Sequence, residues 1–384
     1  MTVIRTLRRP RILIVGCGDV GLRCVERLRG RARLFALTST PSRRPSLRAA
    51  GAVPLVGDLD ARASVARVAG LAPTVLHLAP PPRTGSDDRR TQALIAALSA
   101  RRRSPARPSS ALARPRPPFR PLPSGDALAR PRRSASGAPA AWPARRTGVA
   151  ARALPRGRLP SPGARAADRP EASAIVPDGG FAAGRPRGAR LRLVYASTSG
   201  VYGDCGGACI DETRTPNPAT PRAQRRVAAE RRLRRATAYG GLSATIARIP
   251  GIYAADRLPL ARLAKRTPAL AAADDVYTNH IHADDLAAIL VRLATHGRPS
   301  RVIHASDDSD LRMGDYFDRV ADAFGLERAP RVSRADAQRL IDPLLLSFMS
   351  ESRRLSNRRL KRELRVRLRY SGVDDFLRTL SPRG

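Results

Sequence analysis

Lysine is almost missing from this chain. Of its 71 basic residues only Lys265 and Lys361 are lysine, so the net charge of +39 is carried by arginine. A bias this one-sided follows codon composition as much as selection for an anionic partner, and charge sign alone is weak ground for a nucleic-acid ligand. Aromatic residues are scarce too, at 4%, too few for the stacking platforms of a single-strand binder. The 384 residues hold four cysteines, Cys17, Cys24, Cys205 and Cys209. These do not make a disulfide scaffold, and none stands in a CxxC pair of the zinc-ribbon kind, so reduced thiols and no metal are expected. Long apolar runs are also lacking. Ile12 to Val15 is shorter than the roughly 7–15 apolar residues of a signal peptide. Nothing approaches the roughly 18 residues of a membrane span. The expectation is a soluble cytoplasmic protein with no membrane partner, built as one large domain or two ordinary ones.

The composition changes abruptly in the middle. Residues 101–190 hold 20 Arg and 16 Pro against four acids, Asp126, Asp168, Glu171 and Asp178. No period of 2 or 3.6 is sustained there, and proline recurs too often for a helix or a ladder. Such a segment buries too little apolar surface to offset its ordering entropy. Three readings compete: a disordered basic insertion, a misread or frame-shifted stretch of GC-rich coding sequence, and an arm that binds nucleic acid or an acidic partner. On any of them the segment stands outside the fold, and the two flanks are parts of one domain.

Both flanks alternate strand and helix. Arg11 to Val15 is a short β-branched run of the kind found in buried parallel strands. Further strands are predicted at Leu34–Leu37, Val53–Val56 and Thr74–Leu78, with helices over Leu22–Leu28, Val65–Val68 and Thr91–Leu98. After the gap come strands at Leu191–Tyr195, Leu242–Ile249 and Arg301–His304. Helices are predicted over Arg222–Ala236, Ala283–Ala294 and Met313–Phe324, and a basic helix with a short extended piece over Ser352–Arg369. This rhythm means an α/β fold with a parallel sheet covered on both faces.

The first strand runs straight into the segment GCGDVG and then a helix. In that context GxGxxG is a dinucleotide fingerprint. Gly16 allows the tight turn, Gly18 lets the backbone approach a pyrophosphate, and Gly21 lets the helix pack against the strand. The helix N-terminus presents free N–H groups to the phosphates. An NAD site usually carries an acid at the end of the second strand. Here Thr38, Ser39 and Thr40 lead to Arg43 and Arg44, and a guanidinium fork suits the 2′-phosphate of NADP. NADP is therefore preferred over NAD, although an exposed basic loop would look the same.

Several pieces together resemble the extended short-chain dehydrogenase/reductase family, also called the NAD-dependent epimerase/dehydratase family. They are GCGDVG at 16–21, GDLD at 57–60, VLHLA at 75–79, STSGVYG at 197–203, DETRTPNP at 211–218, RIPGIY at 248–253 and NHIHADDLA at 279–287. The resemblance implies a Rossmann-type doubly wound sheet with a smaller C-terminal substrate-binding part. The corresponding division is 1–100 and 191–250 for the dinucleotide-binding domain, 251–384 for the substrate part interleaved with its last elements, and 101–190 for the insertion. It implies cofactor contacts from Gly16, Cys17, Gly18, Asp19, Val20 and Gly21, from Thr38 and Arg43, from Asp58 and Leu59 near the adenine, from Leu78 and Ala79, and from Pro250. A homodimer is compatible with it.

The family's chemistry uses a Ser or Thr, which here is Thr198, and a Tyr with a Lys four residues on. Glu230 matches a Glu that commonly follows the Lys by four. Counting back puts Arg226 at the Lys position and Arg222 at the Tyr position, so the YxxxK pair is absent. Arginine stays protonated at any relevant pH and cannot shuttle a proton. Arg226 could hold a nicotinamide ribose or a substrate anion. Arg222 could bind a substrate phosphate or carboxylate, or face solvent. Tyr202 and Tyr253 are candidate replacement hydroxyls, or, for Tyr202, a positional residue of the family's loop motif. His280 and His282, two apart in an extended segment, are a candidate metal site or acid/base pair with Asp284, or simply the family's strand-to-helix turn. Three functions remain in competition: an oxidoreductase or epimerase with a non-standard acid/base acting on a small carbonyl or hydroxyl compound, such as a nucleotide sugar; an NADP-occupied sensor or scaffold without turnover; and, last, a basic nucleic-acid binder.

Overall fold

The computed structural model describes residues 9–100 and 190–380. The expected insertion, apart from Arg190, lies outside the described residues. All described residues fall in one unit, made of 1–105 and 187–384; a second unit, 106–186, lies outside them.

The first flank supplies β1 (Arg11–Val15), α1 (Asp19–Leu28), β2 (Arg33–Thr38), α2 (Arg44–Ala49), β3 (Val53–Val56), a 3₁₀ turn over Arg62–Val68, β4 (Thr74–His77) and α3 (Arg89–Ser99). The second supplies β5 (Arg192–Thr198), β6 (Cys209–Ile210), α4 (Pro221–Ala238), β7 (Ser243–Ile249), β8 (Gly251–Tyr253), α5 (Leu260–Ala264), β9 (Ala269–Leu270), β10 (Tyr277–Thr278), β11 (His280–His282), α6 (Ala283–His296) and β12 (Val302–His304). After them come β13 (Leu311–Arg312), α7 (Met313–Ala323), β14 (Arg331–Val332), α8 (Arg334–Leu340), α9 (Pro343–Leu346), β15 (Arg354–Leu355), α10 (Arg358–Leu364) and α11 (Val373–Leu380).

Seven strands form one sheet in the order β12-β7-β5-β4-β1-β2-β3. Every pairing in it is parallel. The order runs outward both ways from β1 and β4, which is the doubly wound arrangement with its switch point between those two strands. β4 pairs directly with β5, so the flanks that lie either side of residue 101 in sequence are neighbours in the sheet.

The strands are apolar because both faces are covered. Ile12, Ile14, Leu34 and Ala36 face a layer containing α1 and α6. Leu13, Val15, Phe35 and Leu37 face the layer of α3, α4 and the 62–68 turn. The C-terminal part has its own core around Tyr253, Phe317, Val320 and Phe376.

One buried ion pair ties α4 to the sheet. Arg248 on β7 donates to both carboxylate oxygens of Glu230, at 3.1 and 2.7 Å. Ser197 at the end of β5 donates to the same carboxylate at 2.6 Å. Glu230 and Arg248 are 2% and 1% exposed. In that dry setting each charge is tolerable only because the other is there. Among the described residues no helix is long and apolar enough to cross a membrane.

Candidate functional site

The turn after β1 sits at the switch point. Gly16 has φ +84°, and a Cβ there would lie 2.4 Å from the backbone nitrogen of Ala79. The turn and the end of the β4 strip are therefore in direct backbone contact, which only glycine permits. At Gly18 a Cβ would meet nothing within 4 Å. This residue is the N-cap of α1, and no side chain caps that helix end. Its first N–H groups thus face an open groove with the positive end of the helix dipole behind them, a setting that suits phosphate.

The groove has a volume of about 340 Å³ and runs past Gly16, Cys17, Gly18, Thr38, Arg43, Asp58, Leu59, Leu78 and Ala79. Nine of the expected cofactor residues are thereby gathered on one surface. Three others are elsewhere. The Asp19 carboxylate is turned to Arg23, at 3.0 Å, and Arg257, at 3.1 Å. Val20 packs on the α1–α6 core. Gly21 is buried against Cys17 and Gly16. Burial pushes the Cys17 thiol up to about 11, so it is inert in the turn.

A second hollow of about 930 Å³ adjoins the first, and Pro80 lines both. Thr198, Arg222, Arg226, Pro250 and His280 all stand on its wall. The Thr198 side chain accepts from the Gly200 N–H at 3.3 Å. Arg226 donates to the Ala196 carbonyl at 2.7 Å and to the Tyr195 hydroxyl at 3.2 Å. The Tyr195 phenol is itself raised to about 12 by burial. Beneath it lies a buried chain in which Thr91 donates to Asp88 at 2.8 Å and His77 donates to Thr91 at 2.9 Å. The threonine has only one hydroxyl proton, which fixes that direction.

Tyr202 and Tyr253 need correction as candidate hydroxyls. Both are 1% exposed, and neither lines the groove or the hollow. The Tyr202 hydroxyl shares a 2.5 Å hydrogen bond with His304 Nε2. His304 Nδ1 lies 3.0 Å from the Ser356 carbonyl, which can only accept, so Nε2 is the acceptor for Tyr202. Tyr202 sits in a 3₁₀ turn that folds its ring inward beneath Arg248. Tyr253 packs among His282 and Phe376.

The two histidines also part company. His282 Nδ1 accepts from the Asp284 N–H at 3.2 Å, which makes it the N-cap of α6. His280 lines the hollow, its ring 4.2 Å from that of Tyr316. Burial lowers it to about 4, so its imidazole is neutral at pH 7, and its Nδ1 is buried without a partner. Among the described residues no cluster of three or more His, Cys, Asp or Glu could hold a metal ion.

Several wall residues carry no motif. Arg225, Tyr316, Phe348, Glu351 and Arg353 all reach the hollow. Arg222 lies over the Phe348 ring at 4.4 Å, and Arg353 pairs with Glu351 at 2.8 Å. Arg90 latches the strip between groove and hollow. It is paired with Asp60 and donates to the carbonyls of Pro80 and Pro81 at 3.2 and 3.4 Å.

A parallel sheet in this order, with a glycine turn at its switch point, defines a doubly wound α/β protein of the dinucleotide-binding type. Residues 181–305 match the model of the NAD dependent epimerase/dehydratase family. The resemblance read from the motifs holds for the segment that carries STSGVYG, RIPGIY and NHIHADDLA. No curated protein matches the chain.

Solved structures share the fold. A functionally unknown conserved protein from Silicibacter pomeroyi DSS is 21% identical, with TM-score 0.63, covering 97% of this chain and 98% of its own. MoeE5 in complex with UDP-glucose and NAD is 18% identical, with TM-score 0.58 and 96% of each chain covered. A DesIV double mutant, a dTDP-glucose 4,6-dehydratase from Streptomyces venezuelae with NAD and DAU bound, is 15% identical, with TM-score 0.60 and 97% of each covered.

Proposed function

We propose that the protein is an NAD(P)-binding oxidoreductase or epimerase of the epimerase/dehydratase type, acting on a small carbonyl or hydroxyl compound without the Tyr–Lys pair. One observation carries the reading: the glycine-turn groove and the larger hollow meet at Pro80, along the carboxyl ends of β1, β4 and β5. Open α/β sheets bind ligands at that place. Gly16, Gly18 and the first turn of α1 would hold the pyrophosphate. Arg43 would take the 2′-phosphate of NADP, and Asp58 and Leu59 would flank the adenine. Thr198 and Pro250 would border the nicotinamide, which supplies hydride transfer when bound.

Thr198 can hold a substrate oxygen by its hydroxyl. Arg222 and Arg226 cannot move a proton, and Tyr202 is committed to His304. The proton role falls to His280, the one imidazole on the wall among the described residues. A nucleotide sugar is the leading substrate class, supported by the sugar nucleotide in the MoeE5 structure. A second reading, binding without turnover, is favoured by the arginines at positions 222 and 226.

Calorimetric titration of the full chain with NADPH and NADH tests the proposal. Micromolar binding is expected, tighter for NADPH, with the preference lost in Arg43→Ala. Binding of neither nucleotide overturns it. Binding without NADPH oxidation across a broad carbonyl panel selects the second reading.

A further inference from the structure

We infer that Arg222, Arg225 and Arg226 form an oxyanion site, which holds a carboxylate or phosphate of the substrate where the family resemblance reads an acid/base pair. The inference rests on the larger hollow being the substrate site.

The charge in that hollow is unbalanced. Among the described residues six arginines line it, Arg83, Arg222, Arg225, Arg226, Arg257 and Arg353, and Glu351 is the one carboxylate. That carboxylate is already paired with Arg353. The chain as a whole has 71 basic to 32 acidic residues, about two to one; in the hollow, with Arg257 paired to Asp19, Arg83, Arg222, Arg225 and Arg226 are left without an ion pair among the described residues. Elsewhere Arg23, Arg90, Arg232, Arg301 and Arg328 each hold an aspartate or glutamate, while Arg192, Arg262, Arg292 and Arg312 donate to backbone carbonyls. Among the described residues none of Arg222, Arg225 and Arg226 has an acid partner; Arg225 donates instead to the Gly85 carbonyl, and Arg226 to Tyr195 and Ala196.

Their spacing makes the imbalance costly. Positions 222, 225 and 226 lie on one face of α4, three and four residues apart, where like charges repel. Burial first lowers the hold of Arg222 on its proton; Glu351 opposes this, and the neighbouring Arg225 and Arg226 add to the lowering. Arg225 is 7% exposed and its Nε has no partner. A buried, unpartnered guanidinium nitrogen is expensive unless a ligand reaches it. The first turn of α4 points the same way. Its cap, Thr220, is on the wall, and the helix dipole adds positive potential there.

Guanidinium forks bind carboxylate and phosphate oxygens in pairs. Thr198 stands on the same wall, so an anion held by Arg222 and Arg226 would lie close to the oxygen that Thr198 holds. The geometry therefore favours a substrate whose anionic group is near its reacting carbon.

The test titrates the full chain, presaturated with NADPH, with inorganic phosphate and with oxalate at fixed ionic strength. Saturable binding of at least one anion is expected. It should weaken at least fivefold in Arg222→Gln, and remain in Arg358→Gln, which removes a positive charge on α10 away from the hollow. Preference for phosphate or for oxalate tells which group the substrate carries. The titration is repeated on Gly18→Val without nucleotide. Anion binding that survives Gly18→Val but falls in Arg222→Gln supports the site, even if NADPH fails to bind and the dinucleotide reading falls. Loss in Gly18→Val with no change in Arg222→Gln overturns the site and leaves the dinucleotide reading standing. Equal loss in Arg222→Gln and Arg358→Gln, or no saturable binding, also overturns it.

Discussion

Gly16 and Gly18 stand two residues apart in one turn, yet a side chain would do opposite things at them. At Gly16 it would collide with backbone and force a left-handed φ on a residue with a Cβ. Gly16→Ala should lower stability by more than about 2 kcal/mol in a denaturant melt. At Gly18 the backbone is extended, with φ −77° and ψ −154°, and the space beyond is open. Gly18→Val, which replaces an N-cap, should cost no more than about 1 kcal/mol in the melt while weakening NADPH at least tenfold by calorimetry. A dinucleotide affinity left unchanged by Gly18→Val would count against the groove. The glycine spacing in the sequence made both positions visible. It could not say which serves the fold and which the ligand, because that depends on where the β4 strip lies.

Among the elements, α4 carries the most. One face of it holds Glu230 for the ion pair with Arg248 and, toward the N-terminus of the same stripe, turns Arg222 and Arg226 to the hollow with Arg225 beside them. Removing one partner of a buried pair leaves a bare charge, at a cost of about 3–5 kcal/mol. Glu230→Leu should therefore be strongly destabilising. Adding Arg248→Met should recover much of the loss, since two apolar side chains leave no charge behind. If the double variant were as unstable as the sum of the singles, the pair would not be a coupled unit. The strands of the main sheet were legible because buried parallel strands are continuous apolar runs. Two-residue strands such as β6 and β15 have no period to read. Glu351 and Arg353 reach the hollow from the far C-terminal region without a motif. For Tyr202 the loop motif fixes where the residue stands in the chain; that a 3₁₀ turn rotates its ring inward is legible only in the fold.

At the scale of the whole molecule, buried titratable groups set a pH dependence with two opposing parts. Burial lowers His77 to about 3, and His280 and His304 to about 4, from 6.5. The unfolded chain binds these protons first, so stability falls as pH drops from 6.5 toward 4. Asp307 goes the other way: burial raises it from 3.8 to about 7. Its contribution is fully present below 3.8 and is lost as pH rises through 7. Three imidazoles outweigh one carboxyl, so the thermal midpoint should fall between pH 7 and pH 5. Asp307→Asn keeps an acceptor for the Ser309 N–H and removes the buried charge. It should raise stability at pH 8 by roughly 1–3 kcal/mol, with the gain gone near pH 4. A gain that did not change with pH would point to packing instead.

The direct pairing of β4 with β5 has a consequence for synthesis. When β4 leaves the ribosome its partner on one side does not yet exist, and 114 residues, 78–191, must be translated before β5 appears. At about 5–20 residues per second that is roughly 6–23 s. Throughout that interval Thr74 to His77 present an unpaired parallel edge, open to any other strand that arrives first. The wait is long compared with the collapse of the first hundred residues. Nascent chains are thus most exposed to wrong partners at the strand that later forms the floor of the site.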